Sequence, residues 1–442
     1  MRIGKRAIAV LAATALLSGC GMFRGTNKPK TPVLGERIPV LTYESGADTD
    51  PGLADQAVTL PAPQVNADWA QSGGSASKSL GQLALGASIS PTWSTRIAGN
   101  SSKARLAAGP VVADGKLYVT DVDAMVRAID AGNGRVLWST SLRRPGKEGA
   151  RAAFGGGVSY ENGRVYATTG SGDIAALDAK TGAVIWKKTP AGPLRGAPTI
   201  ANGQIYAMTQ DNQLFALKQE DGAVDWQVAA TLETAGVFGV AAPAAGQGTI
   251  VAGFSSGELT AYRYENGRVV WQDALSRTSI STAVASLSDI DADPVIDQGR
   301  VYAVGQGGRM VAMELTTGQR LWELNIAGIA TPWVAGDWVF VVTDDARLLC
   351  VQRTSGKIRW ATQLEHWRNE KKKTNPIGWT APVLAGGRLI LASTRGAMVE
   401  VSPADGKVTT THKLGEAVYL RPIVANNVLY VTDQKGKITA WR

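Results

Sequence analysis

Two carboxylates separated by one apolar residue stand out in the run Leu287-Ser288-Asp289-Ile290-Asp291-Ala292-Asp293-Pro294. Such a pair can accept charge-assisted hydrogen bonds from Arg or Lys on a partner, and an Asp just before a strand can equally cap a turn. Other reactive residue types are scarce. The 442-residue chain has two histidines, His366 and His412, neither with a companion ligand at a metal-binding spacing. It contains no Gly-x-Ser-x-Gly elbow and no glycine-rich phosphate loop between a strand and a helix. No catalytic residue, metal or cofactor is assigned, and function is expected to reside in surfaces.

The chemistry of the two cysteines is of another kind. Cys20 follows Leu17-Ser18-Gly19 at the end of an apolar run over residues 8–17, behind Arg2, Lys5 and Arg6. That run is short for a bilayer span and ends at small residues, as a bacterial signal peptide with a lipobox does. An ordinary secretory signal with a chance cysteine is the alternative. Cleavage would leave Cys20 first and lipid-bearing, and Cys350 then has no intramolecular partner. Cys350 sits in a slot that other repeats fill with alanine, which marks a small buried hydrophobe rather than a reactive thiol.

The elements that must position these residues are repeats. The pattern Ala-x-Asp-x-x-Thr-Gly-x-x-x-Trp spans residues 176–186 and returns at 128–138, with looser copies at 216–226, 261–271, 312–322 and 350–360. Each copy reads as a hairpin: a strand, an Asp-to-Gly turn and a returning strand. A period of roughly 40 to 50 residues with strands and glycine turns is the signature of a β-propeller. The indoles Trp93, Trp138, Trp186, Trp226, Trp271, Trp322 and Trp360 are expected to fill the wedges between sheets, each opposite a small residue.

Eight Pro- or Gly-marked opening strands, from Gly109-Pro110-Val111-Val112 to Arg421-Pro422-Ile423-Val424, predict eight four-stranded blades. The last blade lacks an outermost strand of its own, and Trp93-Ser94-Thr95-Arg96-Ile97 has the pattern to supply it, leaving no open edge. Thr410 stands where a tryptophan belongs, so one wedge should be underfilled. The expected organisation is a signal peptide over 1–19, a Pro-rich flexible tether over 20–66, and an all-β propeller over 67–442. Trp69 is expected to dock on the propeller's outside.

The formal charge is +9 for the whole chain, and a cleaved signal would remove three cations and no carboxylate. The remaining excess is spread along the chain, which suits solubility and weak affinity for acidic surfaces rather than nucleic acid.

The docking pattern is similar to the tryptophan motif of the pyrroloquinoline-quinone dehydrogenase superfamily. Lipobox, tether and all eight cassettes together resemble its non-catalytic branch, the BamB family of outer-membrane assembly lipoproteins. The enzymes of the superfamily typically set a disulfide of adjacent cysteines against the cofactor and hold calcium beside a catalytic Asp; this chain has no Cys-Cys pair. A quinone- or small-ligand-binding propeller remains the alternative, and a polysaccharide-binding lipoprotein a third.

The resemblance implies a scaffold of the Bam complex, lipid-anchored at the periplasmic face of the outer membrane of a Gram-negative bacterium. Gly21 after the cysteine, in place of an Asp, implies outer rather than inner membrane. It further implies binding to the periplasmic POTRA domains of BamA, with contact to unfolded outer-membrane protein substrates as a weaker expectation. By likeness to the family's Leu-Ser-Asp-Val/Ile-Asp stretch, that partner contact falls on Ser288, Asp289 and Asp291.

The connections between each Trp and the next opening strand converge on one face, where long loops often bind partners. In the loop after Trp226 the family can show an exposed Leu-x-Leu-Arg, whereas this chain reads Ala235-Gly236-Val237-Phe238. Val237 and Phe238 can supply an apolar anchor or serve the core, and the Arg is absent there. The loop after Trp360 carries Lys371-Lys372-Lys373 between Trp367 and Trp379, a mixture suited to lipid head groups, an acidic partner or plain solvent.

Overall fold

A computed structural model describes residues 48–144, 154–232, 240–275 and 288–442. Eight four-stranded antiparallel sheets follow one another along the chain. Blade one spans residues 111–141, blade two 156–188, blade three 199–229, blade four 244–274, blade five 295–324, blade six 333–363 and blade seven 383–413. Blade eight takes Ile423–Ala425, Val428–Thr432 and Lys437–Trp441 from the carboxy-terminal end and Pro91–Arg96 from the amino-terminal side. Trp93 pairs with Ala440 in that sheet, so the ring closes as the sequence predicts.

The repeat works as a clip between neighbours. In blade two, Asp178 Oδ1 accepts from the Lys180 and Thr181 amides at 3.1 and 2.7 Å, which sets the turn. Ala176 lies opposite Trp186, and the register shifts immediately after the alanine. The Trp186 indole donates from Nε1 to the Gln219 carbonyl of blade three at 3.1 Å. Gly182 shows why the motif needs glycine. Its φ is +75°, and a Cβ there would stand 2.6 Å from the Trp138 ring of the preceding blade. The same approach recurs where Trp93, Trp186, Trp226, Trp271, Trp322 and Trp360 lie over Gly134, Gly222, Gly267, Gly318, Gly356 and Gly406.

Seven wedges are thus held by an indole that packs on one blade's turn and hydrogen-bonds its carbonyl. The wedge between blades seven and eight is built differently, because Glu400 and Thr410 replace the Ala and Trp. Arg388 Nε and His412 Nε2 lie 2.7 and 2.8 Å from the two Glu400 oxygens, and Trp441 meets the His412 ring edge-on at 5.4 Å. A groove of about 530 Å³ beside Arg388, Glu400 and Thr410 stays open at its rim.

The stretch before the propeller is a strap that visits every blade. Asn66 bonds Val424 and Asn426 of blade eight at 2.6 and 2.7 Å, Trp69 bonds Val112 of blade one at 2.7 Å, and Ala70 accepts from Tyr160 of blade two at 2.8 Å. Gln71 Oε1 accepts from Ile200 of blade three at 2.8 Å. Ala76 and Ser77 accept from Ala245 and Ile296 of blades four and five, each at 2.8 Å. Gly81 takes the Trp333 indole of blade six at 2.7 Å, and Leu83 donates to Leu384 of blade seven at 3.1 Å.

Trp69 is therefore not on the outside. It is buried inside the ring and stacks on Trp333 at 6.3 Å, because the strap needs a large apolar surface to close the hub. Docking also begins ahead of residue 66: Asp50 pairs with Lys357 at 2.8 Å, and Leu53 is buried.

Candidate partner-binding face

Because each blade is a four-stranded antiparallel sheet in the same order, the described residues that lead from one outermost strand toward the next innermost strand lie on one face, opposite the strap. Ile290 explains how the Asp289 stretch sits there. Its side chain is buried between blades four and five, with its amide on the Phe254 carbonyl at 3.1 Å. A Cβ on Gly253 would stand 2.3 Å from Ile290 Cγ2, so glycine makes the room. Ser288 Oγ donates to the Ser255 carbonyl at 3.2 Å, and the Asp289 carbonyl accepts from the Gln306 amide at 2.9 Å. The segment is thereby fastened to both neighbouring blades.

Locked in this way, the flanking carboxylates turn into the protein. Asp289 is 1% exposed and Asp291 9%. Asp291 Oδ1 lies 3.2 Å from Arg195 Nη2, and Arg195, wholly buried, also donates to the Gly253 carbonyl at 3.3 Å. Neither Asp289 oxygen has a hydrogen-bond partner among the described residues, and Arg195 Nε has none either. Burial pushes the Asp291 carboxyl up to about 6 despite the opposing Arg195, with the Asp289 charge adding to the rise. Burial lowers the Arg195 guanidinium, against the pull of Asp291 and Asp289. Asp293 is satisfied within the fold, accepting from Ser72 Oγ and the Ala242 amide, each at 2.7 Å.

Arg195 is the residue that sequence reading missed. Its signal was available: the Leu-Arg half of the expected Leu-x-Leu-Arg stands at Leu194-Arg195, after Trp186 rather than after Trp226. The structure brings the loops after Trp186 and Trp271 together across the face, joining Arg195 to Asp291. Val237, Phe238 and Cys20 lie outside the described residues. The seven docking tryptophans all sit in the wedges. Trp367–Asn369 and Thr374–Pro376 pair as a small hairpin with Lys371, Lys372 and Lys373 exposed at its tip. Cys350 is buried in blade six opposite Trp360, and burial pushes its thiol up, as an inert slot-filler requires.

Residues 84–152, 123–362 and 364–441 match the sequence model of the family described as outer membrane protein assembly factor BamB. The chain belongs to the BamB family. It is 27% identical over 354 residues to the BamB of Salmonella typhimurium, covering 79% of this chain and 87% of that relative. The crystal structure of BamB from Moraxella catarrhalis superposes with a TM-score of 0.68 at 21% identity, covering 80% of this chain and all of that one. Quinohemoprotein alcohol dehydrogenase from Comamonas testosteroni shares the propeller at a TM-score of 0.66 and 14% identity, a likeness of fold alone. Among the described residues no three His, Cys, Asp or Glu side chains are placed together to hold a metal. The BamB match begins at residue 84, so nearly all of the strap precedes it.

Proposed function

We propose that this BamB-family chain is a non-enzymatic scaffold in the assembly of outer-membrane β-barrel proteins, docking on BamA POTRA domains through its loop face. The observation that carries the reading is the Arg195–Asp291 pair, which ties the loops after Trp186 and Trp271 into one patch. Buried ion pairs of this kind favour one arrangement over others when they fix the register of surface segments. Asp291 then acts from beneath through Arg195, holding the loop base that carries Ser288 and Asp289, and Val237 and Phe238 supply the apolar part of the contact. Unfolded substrate chains are guided along the same face.

Cys20 carries the lipid that tethers the protein to the periplasmic face of the outer membrane. Co-purification from solubilised outer membrane tests the docking site: the Asp289→Ala, Asp291→Ala double variant should capture much less BamA, and undiminished capture would remove the loop assignment. Cys20→Ser should release the protein into the soluble periplasmic fraction; continued sedimentation with outer membrane would contradict the anchor.

A further inference from the structure

The central channel of the ring is a blind funnel. It opens on the loop face and is floored by Gln71, Ser72 and Gly73 of the strap, leaving a cavity of about 290 Å³. Its mouth is apolar: Val240, Ile329 and Tyr419 are 41%, 49% and 49% exposed around it, and half-buried Trp379 joins them. Large apolar side chains left in water around a single concavity are the usual mark of a binding site.

The floor carries two cations that form no direct ion pair among the described residues, beside two carboxylates, Asp291 and Asp293, that line the same cavity. Arg421 lines the cavity, and its one hydrogen bond among the described residues is to the Thr331 carbonyl at 3.2 Å. Lys78, buried below, donates to Thr199 Oγ1 at 3.0 Å. Neither cation has a carboxylate at ion-pair distance among the described residues. Asp293 attracts both from farther away, but its oxygens are committed to Ser72 and the Ala242 amide. Asp291 is taken by Arg195. Burial accordingly depresses both groups, Arg421 to about 10 and Lys78 to about 8. A half-buried guanidinium with unused donors, in a cavity behind an apolar rim, is arranged to receive a planar two-oxygen anion.

We infer that the funnel binds a carboxylate carried on an apolar body, with Arg421 receiving the carboxylate, Lys78 adding positive potential from beneath, and the Val240, Ile329, Trp379 and Tyr419 rim holding the body. The carboxylate can be the end of a polypeptide or that of a free small acid. This site adjoins the BamA contact proposed above, since Asp291 stands on the cavity wall, but binding in the funnel does not depend on that contact.

The full-length protein in detergent is titrated with three probes, read by calorimetry: a tripeptide ending in leucine, its carboxy-terminal amide, and 4-methylpentanoate. The free-acid peptide should bind at least about tenfold more tightly than the amide, and Arg421→Gln should abolish that preference while Arg421→Lys keeps part of it. Tyr419→Ala, at an exposed position that leaves the fold intact, should weaken the acid peptide several-fold. If 4-methylpentanoate matches the peptide, the same carboxylate site serves a free acid; if it binds far more weakly, the site reads a chain end. Equal binding of acid and amide, a folded Arg421→Gln protein with unchanged affinity, or no binding of any probe overturns the inference.

Discussion

Arg195 and Asp291 form a pair whose loss should be felt well beyond one bond. Arg195→Ala leaves a carboxylate buried beside a second one, and breaking a buried pair from one side costs about 3–5 kcal/mol. Chemical denaturation should register a drop of that order. The pH dependence has a definite sign. The folded Asp291 carboxyl sits at about 6 against an ordinary 3.8, so between those values the folded state holds more of this proton than the unfolded chain. Stability from this group is present at the acid end and is lost as pH rises through that window. Asp291→Asn has no such titration, so its stability relative to the parent should increase between pH 4 and pH 7. Paired denaturation curves across that range check it, and a flat difference would mean that Asp291 is not held up by burial.

A blade's outer hairpin must satisfy its own turn and its neighbour's indole together. Gly182→Ala meets both limits, a left-handed φ and a ring 2.6 Å away, whereas Gly203 has a φ of +75° and open space around its Cβ position. Gly203→Ala should therefore cost about 1 kcal/mol of backbone strain, and Gly182→Ala several times more. Trp271→Ala removes a buried indole and its bond to the Leu315 carbonyl, at 2.7 Å, and should cost about 3–5 kcal/mol. Thermal unfolding of the three variants ranks them. Comparable losses at Gly182 and Gly203 would show that the indole contact adds nothing.

In the whole molecule, the strap is the part that turns a ring into a plugged ring. It buries Trp69 and Leu83 completely and bonds all eight blades, so a chain beginning at residue 88 should still form the sheets but melt at a lower temperature. A truncated protein with an unaltered melting temperature would show that the strap merely decorates the hub.

The wheel is legible in the unfolded chain, because each blade is contiguous and its clip is local: Asp, Gly and Trp recur at fixed spacing, and so do the sheets they make. Closure by Trp93 was readable for the same reason, as one unpaired copy of a known pattern. The hub was not. Trp69 meets Trp333, Lys78 meets Thr199 and Arg195 meets Asp291 across stretches that no local period links. Whether a carboxylate faces solvent or the channel depends on how Ile290 fills the wedge beside Gly253, a packing choice made between blades. The residues alone dictate the repeating unit, since hairpin and docking contacts lie within about one period. The inward turn of Asp289 and Asp291 and the plugged funnel belong to the closed ring, where side chains from all eight sheets first share one axis.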